Sequence, residues 1–333
     1  MEQGKISDII TNALKADRSN YVKNEKALIS QFMKAVRLNL SLFNNTNAID
    51  LTNNNGFRLD ENEIDKILGR YEEVDSIIHH NDEIKIYNDQ LMRTTLYEKL
   101  GIILVLFDGN TYTMLEMMLL GLLTHNTMIF MYDGYMLGSN GLLISLMETI
   151  LKKENMDTHM FQQCYSIQSD IFENYQSIAK TVIIGNHDFV SRYIKECSTD
   201  VVVSGAYHYD MYIEKMIDSD LIHKILDLKL DVQLYVDDQG KDDFDDAIVV
   251  SDVEDAITQI RYNGNGFSTS IFTTDNDSAS KFMREVQSSH IFVNTSPTVI
   301  RSVDIKQEDL LSERNLYIPK IYKMDGTSVK IDV

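Results

Sequence analysis

Two cysteines are the strongest nucleophile candidates in the sequence. Cys197 ends the amphipathic segment RYIKECS, and the dipole at the carboxyl end of a helix disfavours a thiolate. Cys164, in FQQCYSIQ, falls where a buried strand is expected, and a structural thiol is the ordinary role there. Two cysteines are also too few for a disulfide framework or a CxxC metal site. The cysteines therefore predict a reduced, cytoplasmic protein and assign no nucleophile.

The other polar clusters give weaker signals. His79 and His80 are adjacent and cannot share a helix face, so surface histidines are expected. The acidic run DDQGKDDFDD lacks the spacing of a calcium loop and predicts a solvated loop. The NGNG segment, Asn263 to Gly266, is typical of a turn and not of a dinucleotide fingerprint. No metal site is predicted.

The overall charge excludes two classes of partner. A formal net charge of -20 repels phosphate backbones and anionic lipid, and no basic patch offsets it. No run of 18 apolar residues occurs, and the first residues lack an apolar signal-peptide core. We expect no nucleic-acid binding and no membrane association.

The pattern of apolar residues predicts helices first, and alternating strands and helices afterwards. From Ile6 to Leu51 apolar residues recur at helical steps, and a further helix opens at Asp60 as its cap. The segment NDEIKIYNDQLMRTTLYEKLG alternates and predicts an exposed hairpin. Buried strands follow at GIILVLF, TMIFM, TVIIG and DVVVS, with helices between them. This order predicts a doubly wound α/β domain, followed beyond Gly205 by a smaller α/β unit.

From Leu100 onward the sequence resembles gamma-glutamyl phosphate reductase, a family of the aldehyde dehydrogenase superfamily. The segment from LGIILVLFDG to LGSNGLL is similar to the family's first cofactor-domain strands and helices. VQSSHIFVN resembles its V-D-S-S-x-V-x-V-N signature, and YIPKIYKMDGTSVKI resembles its C-terminal oligomerisation strand. The resemblance implies an aldehyde dehydrogenase-like fold with a Rossmann-type cofactor domain, a catalytic domain and an oligomerisation hairpin.

The loops that would hold the cofactor depart from the family pattern. The family's E-A-R-P-N, R-G-G-S-E-A and I-P-R-G-G turns are replaced by Asp108 to Tyr112, residues 131–136 and Ile184 to Asp188. Glycine or basic charge is lost from each, although phosphate binding requires small, donor-rich, positive loops. Ser139 and Asn140 are retained nearby as vestigial cofactor-binding candidates. We expect no bound cofactor.

The family's catalytic cysteine lies in a G-x-C-N-A-x-E-T segment that lacks a counterpart here. DMYIEKMID resembles the family's H-x-Y-V-D-K-x-A-D segment, and LIHKILDLKLDVQLYVDD follows almost at once, resembling a helix and strand beyond the cysteine. A second alignment places GAYHYD on the cysteine motif, with tyrosine or histidine at the cysteine position. Because no cysteine follows Cys197, both alignments lack the nucleophile of thioester chemistry.

We therefore predict three segments and a function without catalysis. Residues 1–205 form a cofactor-domain-like unit with a hairpin at about 83–97, residues 206–299 a shortened catalytic-domain-like unit, and residues 300–333 an oligomerisation segment. The expected function is binding or assembly, as a homodimer with an unidentified protein or small-molecule partner. The alternative is an active NADP-dependent oxidoreductase of proline biosynthesis, or of a related aldehyde or acyl-phosphate reduction, with a relocated nucleophile. No catalytic residue is assigned.

Overall fold

The structure is a computed structural model of the 333-residue chain. It describes residues 5–20, 22, 24–52, 58–78, 85–86, 91–133, 136–205, 207–214, 222–225, 231–238, 244, 246–264, 266–300, 302–319, 321–324 and 327–330. His79 and His80 lie outside these residues, as do parts of the acidic run and of the NGNG segment.

The described helices and strands, taken in chain order, follow the predicted pattern of helices first and alternation afterwards. The helices are α1 (Ile6–Ser19), α2 (Glu25–Leu38), α3 (Leu40–Thr52), α4 (Glu61–Tyr71), α5 (Thr111–Leu123), α6 (Leu137–Lys153), α7 (His187–Tyr193), α8 (Val253–Asn263) and α9 (Asn276–Glu285). The strands are β1 (Lys85–Ile86), β2 (Leu91–Lys99), β3 (Ile102–Phe107), β4 (Thr127–Met131), β5 (Phe161–Cys164), β6 (Lys180–Ile184), β7 (Asp200–Ser204), β8 (His208–Ile213), β9 (Asp231–Val236), β10 (Ile248–Val249), β11 (Ser268–Phe272), β12 (His290–Val293), β13 (Leu311–Pro319), β14 (Ile321–Met324) and β15 (Thr327–Lys330). The predicted cap at Asp60 is confirmed, since its side chain accepts a hydrogen bond from the backbone N–H of Asn62.

The first sheet is parallel and doubly wound. Its strand order is β5-β4-β3-β6-β7, so the winding direction reverses between β3 and β6. Strand β3 is buried on both faces, because its successive side chains point alternately into two apolar clusters. Helices α2, α4, α5 and α6 contribute to one cluster, and α1 and α7 to the other. The predicted doubly wound domain is confirmed.

The second sheet repeats the same topology. Its strands are parallel in the order β10-β9-β8-β11-β12, with β8 at the centre. The first residues of the MYIEKMID segment, Met211 to Ile213, complete β8. Strand β8 reads HYDMYI, and all six residues are buried. A search for apolar runs does not find β8, because several of its buried side chains are polar. Residues distant in sequence bury them.

A third sheet joins the middle of the chain to its end. Strands β1, β2 and β13 are antiparallel in that order, and β13 pairs with β2 from Leu311↔Lys99 to Pro319↔Leu91. The predicted hairpin therefore exists at β1 and β2, although residues 83–84 and 87–90 lie outside the described ones. Strands β14 and β15 form a separate hairpin, so the predicted single C-terminal strand is divided.

Helix α5 is buried on every side. All of its residues, Thr111 to Leu123, are buried, including the carboxylate of Glu116. Glu116 accepts hydrogen bonds from the Tyr207 hydroxyl and from Arg70 Nη2, the latter at 2.9 Å. Burial raises the pKa of Glu116 to about 7 against the opposing effect of these partners. In the described part of the chain no helix, α5 included, is long and apolar enough to cross a membrane.

Candidate functional site

The predicted cofactor residues Ser139 and Asn140 lie in the first turn of α6, and both are fully buried. The Asp50 carboxylate, from α3, occupies this helix end. It accepts hydrogen bonds from the backbone N–H groups of Gly138 and Ser139, at 2.9 and 3.0 Å, and from the Ser139 hydroxyl at 2.7 Å. Asn140 donates to the backbone carbonyl of Gly109 at 2.7 Å. Ser139 and Asn140 are therefore engaged by the protein itself.

Asp50 stands where an external anion would bind. The N–H groups at a helix amino end, with the helix dipole, form a ready site for phosphate or carboxylate. Met136 precedes α6 in a left-handed conformation and provides no side-chain cap. The cap comes from a helix more than eighty residues earlier in the chain, and the buried carboxylate satisfies both the amides and the charge preference.

The helices that follow β3 and β6 are capped by the side chains of the residues that precede them. Asn110 caps α5 by accepting from the Tyr112 N–H at 2.9 Å, and Asn186 caps α7 by accepting from the Phe189 N–H at 3.0 Å. The Asp108 carboxylate turns back to the N–H of Asn110, at 3.0 Å. All three helix starts at this edge thus carry internal caps.

A dinucleotide does not fit the described residues of this edge. The resemblance places its cofactor loops here, yet Asp50 occupies the amides of α6, and Asp108 adds negative charge beside α5. A carboxylate and a diphosphate at close range repel each other. Gly134 and Tyr135 of the intervening turn lie outside the described residues.

Neither cysteine is prepared for nucleophilic attack. Burial raises the pKa of Cys164 to about 12 and raises that of Cys197 as well. Cys197 packs on the α1 and α7 side of the first sheet, where its thiol donates to the carbonyl of Tyr193 at 3.4 Å. The prediction that Cys164 is structural agrees with its burial at the end of β5.

A polar cleft of about 280 Å³ lies between the first sheet's β6–α7 loop and the strand starts of the second sheet. Its described lining residues are Asn186, His187, Asp188, His208, Tyr209, Asp210, Asp231, Gln233, Ile248, Asn263 and Gly264. Neither cysteine is among them. The cleft therefore brings residues that follow β6 close to residues of the second sheet.

His208 joins the two sheets across this cleft. Its Nδ1 contacts the Asp231 carboxylate at 2.5 Å, and its Nε2 lies 3.2 Å from Asp108 Oδ2. The second contact is an ion pair, because no well-aligned hydrogen bond joins the two atoms. Burial alone would lower the pKa of His208, but the two carboxylates outweigh burial and raise it to about 9. At neutral pH His208 is an imidazolium, so it has no lone pair with which to act as a general base.

Asp210 places a second buried charge in the cleft. It is 2% exposed, and its Oδ1 accepts from the Tyr235 hydroxyl at 3.3 Å. Gly264, at the end of α8, allows this arrangement because a Cβ there would lie 2.5 Å from Asp210 Oδ2. The NGNG pattern predicts only a turn at Gly264, and the apolar pattern of the sequence does not indicate this role or those of Asp50, His208 and Asp231. The one available signal was the second alignment, which placed GAYHYD, including His208, at the expected nucleophile position.

Two doubly wound sheets of identical topology, linked around Gly205 and carrying a third sheet, define the aldehyde dehydrogenase fold. Solved structures show the same fold. Gamma-glutamyl phosphate reductase from Thermotoga maritima is 13% identical, with a TM-score of 0.63 over 97% of this chain and 100% of that chain. The Saccharomyces cerevisiae gamma-glutamyl phosphate reductase is 15% identical, with a TM-score of 0.54 over 95% of this chain and 98% of that one. Glyceraldehyde-3-phosphate dehydrogenase from Methanocaldococcus jannaschii, complexed with NADP, is 13% identical, with a TM-score of 0.69 over 95% and 94% of the two chains.

No protein-family profile and no curated protein matches the sequence. The likeness to solved structures at these identities establishes the fold alone. The predicted aldehyde dehydrogenase-like fold is thus confirmed. The predicted loss of the catalytic-cysteine segment stays a prediction, because residues 215–221 and 226–230 of the relevant stretch lie outside the described ones.

Proposed function

We propose that this chain is a non-catalytic protein on the aldehyde dehydrogenase fold, acting through binding and assembly. The observation that carries the proposal is the Asp50 carboxylate on the amino end of α6, which fills an anion site with part of the protein itself. Two features add support. Neither thiol lines the described cleft, and His208 is held as an imidazolium between two carboxylates. Both cysteines are unpaired, which supports a reducing, cytoplasmic location.

Enzyme assays test the absence of catalysis. We expect no NADP- or NAD-dependent turnover of glutamate semialdehyde, because a raised thiol pKa leaves little thiolate at neutral pH. We also expect no rise in melting temperature with millimolar NADP, whereas binding at 100 times the dissociation constant would stabilise the fold by about 2.7 kcal/mol. Turnover that disappears in Cys197→Ala, with the fold unchanged, would instead support the NADP-dependent oxidoreductase alternative.

Assembly is proposed through the third sheet. β13 pairs with β2 along its whole length, and no other described strand pairs with β13. An open strand edge invites pairing with another chain, and a two-fold pair is the commonest closed arrangement. In the resembled family these elements complete a sheet across the subunit interface. We therefore propose a homodimer.

Light scattering of the full chain at micromolar concentration should give twice the mass of the 38.3 kDa chain. Truncation after Leu311 removes β13 and should give monomers or insoluble protein, whereas truncation after Met324 keeps β13 and should leave the dimer intact. A monomeric full chain would exclude the dimer, and a normal dimer after truncation at Leu311 would place the interface elsewhere.

A further inference from the structure

The chain passes between the second large sheet and the rest of the fold at two places. The first crossing, residues 205–207, leads from β7 to β8, and the second, residues 294–310, leads from β12 to β13. Both crossings are bonded to α5 through Glu116. Its carboxylate accepts hydrogen bonds from the Tyr207 hydroxyl on the first crossing and, at 3.3 Å, from the backbone N–H of Val303 on the second. One buried carboxylate therefore holds both connections between the sheets.

The first crossing is held in an unfavourable backbone conformation. Tyr207 has a φ of 66°, in the left-handed region that a bulky residue rarely adopts. Such a conformation persists only where the surroundings impose it, and it recurs in the switch regions of proteins. The Tyr207 ring packs on Tyr112 of α5, with ring centres 5.7 Å apart, and its hydroxyl reaches Glu116. Loss of these contacts would let the crossing relax, so the geometry favours a hinge at this point.

The groups that face Glu116 leave it as the member of the cluster that titrates near neutral pH. Arg70 of α4 donates at 2.9 Å and stays charged, and Tyr71 faces the same carboxylate. Burial raises the pKa of Tyr71 and that of Tyr207 well above the usual value, so both stay neutral. Burial also raises the pKa of Glu116 to about 7, because its donors, led by the 39% exposed Arg70, offset burial only in part. Arg301, on the second crossing, lies outside the described residues.

We propose that Glu116 is a proton-operated lock on a hinge between the two doubly wound sheets. Neutral Glu116 keeps both crossings closed on α5. An ionised carboxylate at this place lacks the hydration that water would supply, so it favours an open arrangement in which the crossings separate and water reaches it. The advantage of the closed arrangement is present in full below pH 4.5 and is lost as pH rises through 7. Because the polar cleft separates residues that follow β6 from residues of the second sheet, it would widen as the hinge opens.

Hydrogen–deuterium exchange of the full chain at pH 6 and pH 8 tests the hinge. The amides of His208, Val303 and Asp304 are hydrogen-bonded at the crossings, and their protection is the exchange rate corrected for the intrinsic effect of pH. If opening gives Glu116 the pKa of a hydrated carboxyl, this protection should fall by about ten-fold from pH 6 to pH 8. It should also stay below the protection of the α5 amides, since the hinge opens without global unfolding. His208 titrates near pH 9 and changes little in this range.

Two variants and a control assign the pH dependence to Glu116. Glu116→Gln has the shape of the neutral acid and cannot ionise, so protection at the crossings should be nearly equal at both pH values. Glu285→Gln removes a carboxylate from the exposed end of α9 and should keep the ten-fold fall of the original chain. If Glu116→Gln does not fold, Arg70→Met decides the question. Loss of the guanidinium raises the pKa of Glu116 further, so protection should fall more steeply between pH 6 and pH 8 than in the original chain.

Equal protection of the crossings at pH 6 and pH 8 in the original chain would overturn the proposal. So would crossing amides that are as protected as those of α5, because exchange would then need global unfolding. An undiminished pH dependence in Glu116→Gln, or a fall no steeper in Arg70→Met, would show that another group drives the change.

Discussion

The two large sheets share one topology but differ at the places where ligands could bind. At the carboxyl-terminal edge of the first sheet, helix starts are capped by Asp50, Asn110 and Asn186. At the strand starts of the second sheet, His208 and Asp231 border an open polar cleft. Doubly wound sheets ordinarily bind ligands at the carboxyl ends of their strands, near the reversal of winding. The first sheet's carboxyl edge is occupied by the protein's own side chains, and the described cleft lies at the opposite, strand-start edge of the second sheet, so topology alone does not locate the open cleft.

The largest expected effect concerns the His208 bridge between the sheets. Its pKa is raised from 6.5 to about 9, so its stabilisation is present in full below pH 6.5 and is lost as pH rises through 9. The difference corresponds to about 3 kcal/mol in the free energy of unfolding. Denaturant unfolding between pH 7 and pH 9.5 should show most of this loss, and the free energy of unfolding of His208→Gln should depend less on pH in this range. If the free energy of unfolding of His208→Gln falls with pH as steeply as that of the original chain, the bridge contributes little to stability.

Removal of the internal cap should have the next largest effect. Asp50→Ala leaves the amides of Gly138 and Ser139 without their acceptor, and the free energy of unfolding should fall by about 2 kcal/mol. The vacated helix start should then bind sulfate, so sulfate should stabilise Asp50→Ala more than sodium chloride of equal ionic strength does. Asp50→Asn keeps an acceptor and serves as the control. Equal responses to sulfate in all three proteins would contradict the role assigned to Asp50.

The smallest expected effect is a difference in stability between variants of two buried tyrosines in the second sheet. The Tyr212 hydroxyl has no hydrogen-bond partner among the described residues, whereas the Tyr235 hydroxyl donates to Asp210. Tyr212→Phe should be neutral or stabilising by up to about 1 kcal/mol, because it removes an unsatisfied polar group. Tyr235→Phe should destabilise by about 1 kcal/mol. Thermal unfolding of the two variants side by side measures the difference, and the reverse order would refute it.

The sequence predicted the fold better than it predicted the site. Buried apolar runs such as IILVLF identify strands directly, because a parallel sheet covered on both faces requires them. β8 escaped prediction because its buried side chains include His208 and Asp210, whose partners lie on other elements. The cofactor-binding role predicted for Ser139 and Asn140 stays a prediction; the structure places both at a helix start, and nothing near them in sequence indicates their contact with Asp50. Contacts between distant residues therefore determine the site.

The burial of α5 has a consequence for the exchange of backbone hydrogens with solvent. A helix whose residues are all buried has no face that water can reach by small fluctuations. Its amides can open only when the surrounding helices and the first sheet separate, so they should exchange at the rate set by global unfolding. Hydrogen–deuterium exchange of Thr111 to Leu123 would then report the stability of the whole molecule, while helix ends at the surface exchange through local fraying. The most protected amides would then surround the buried carboxylate of Glu116.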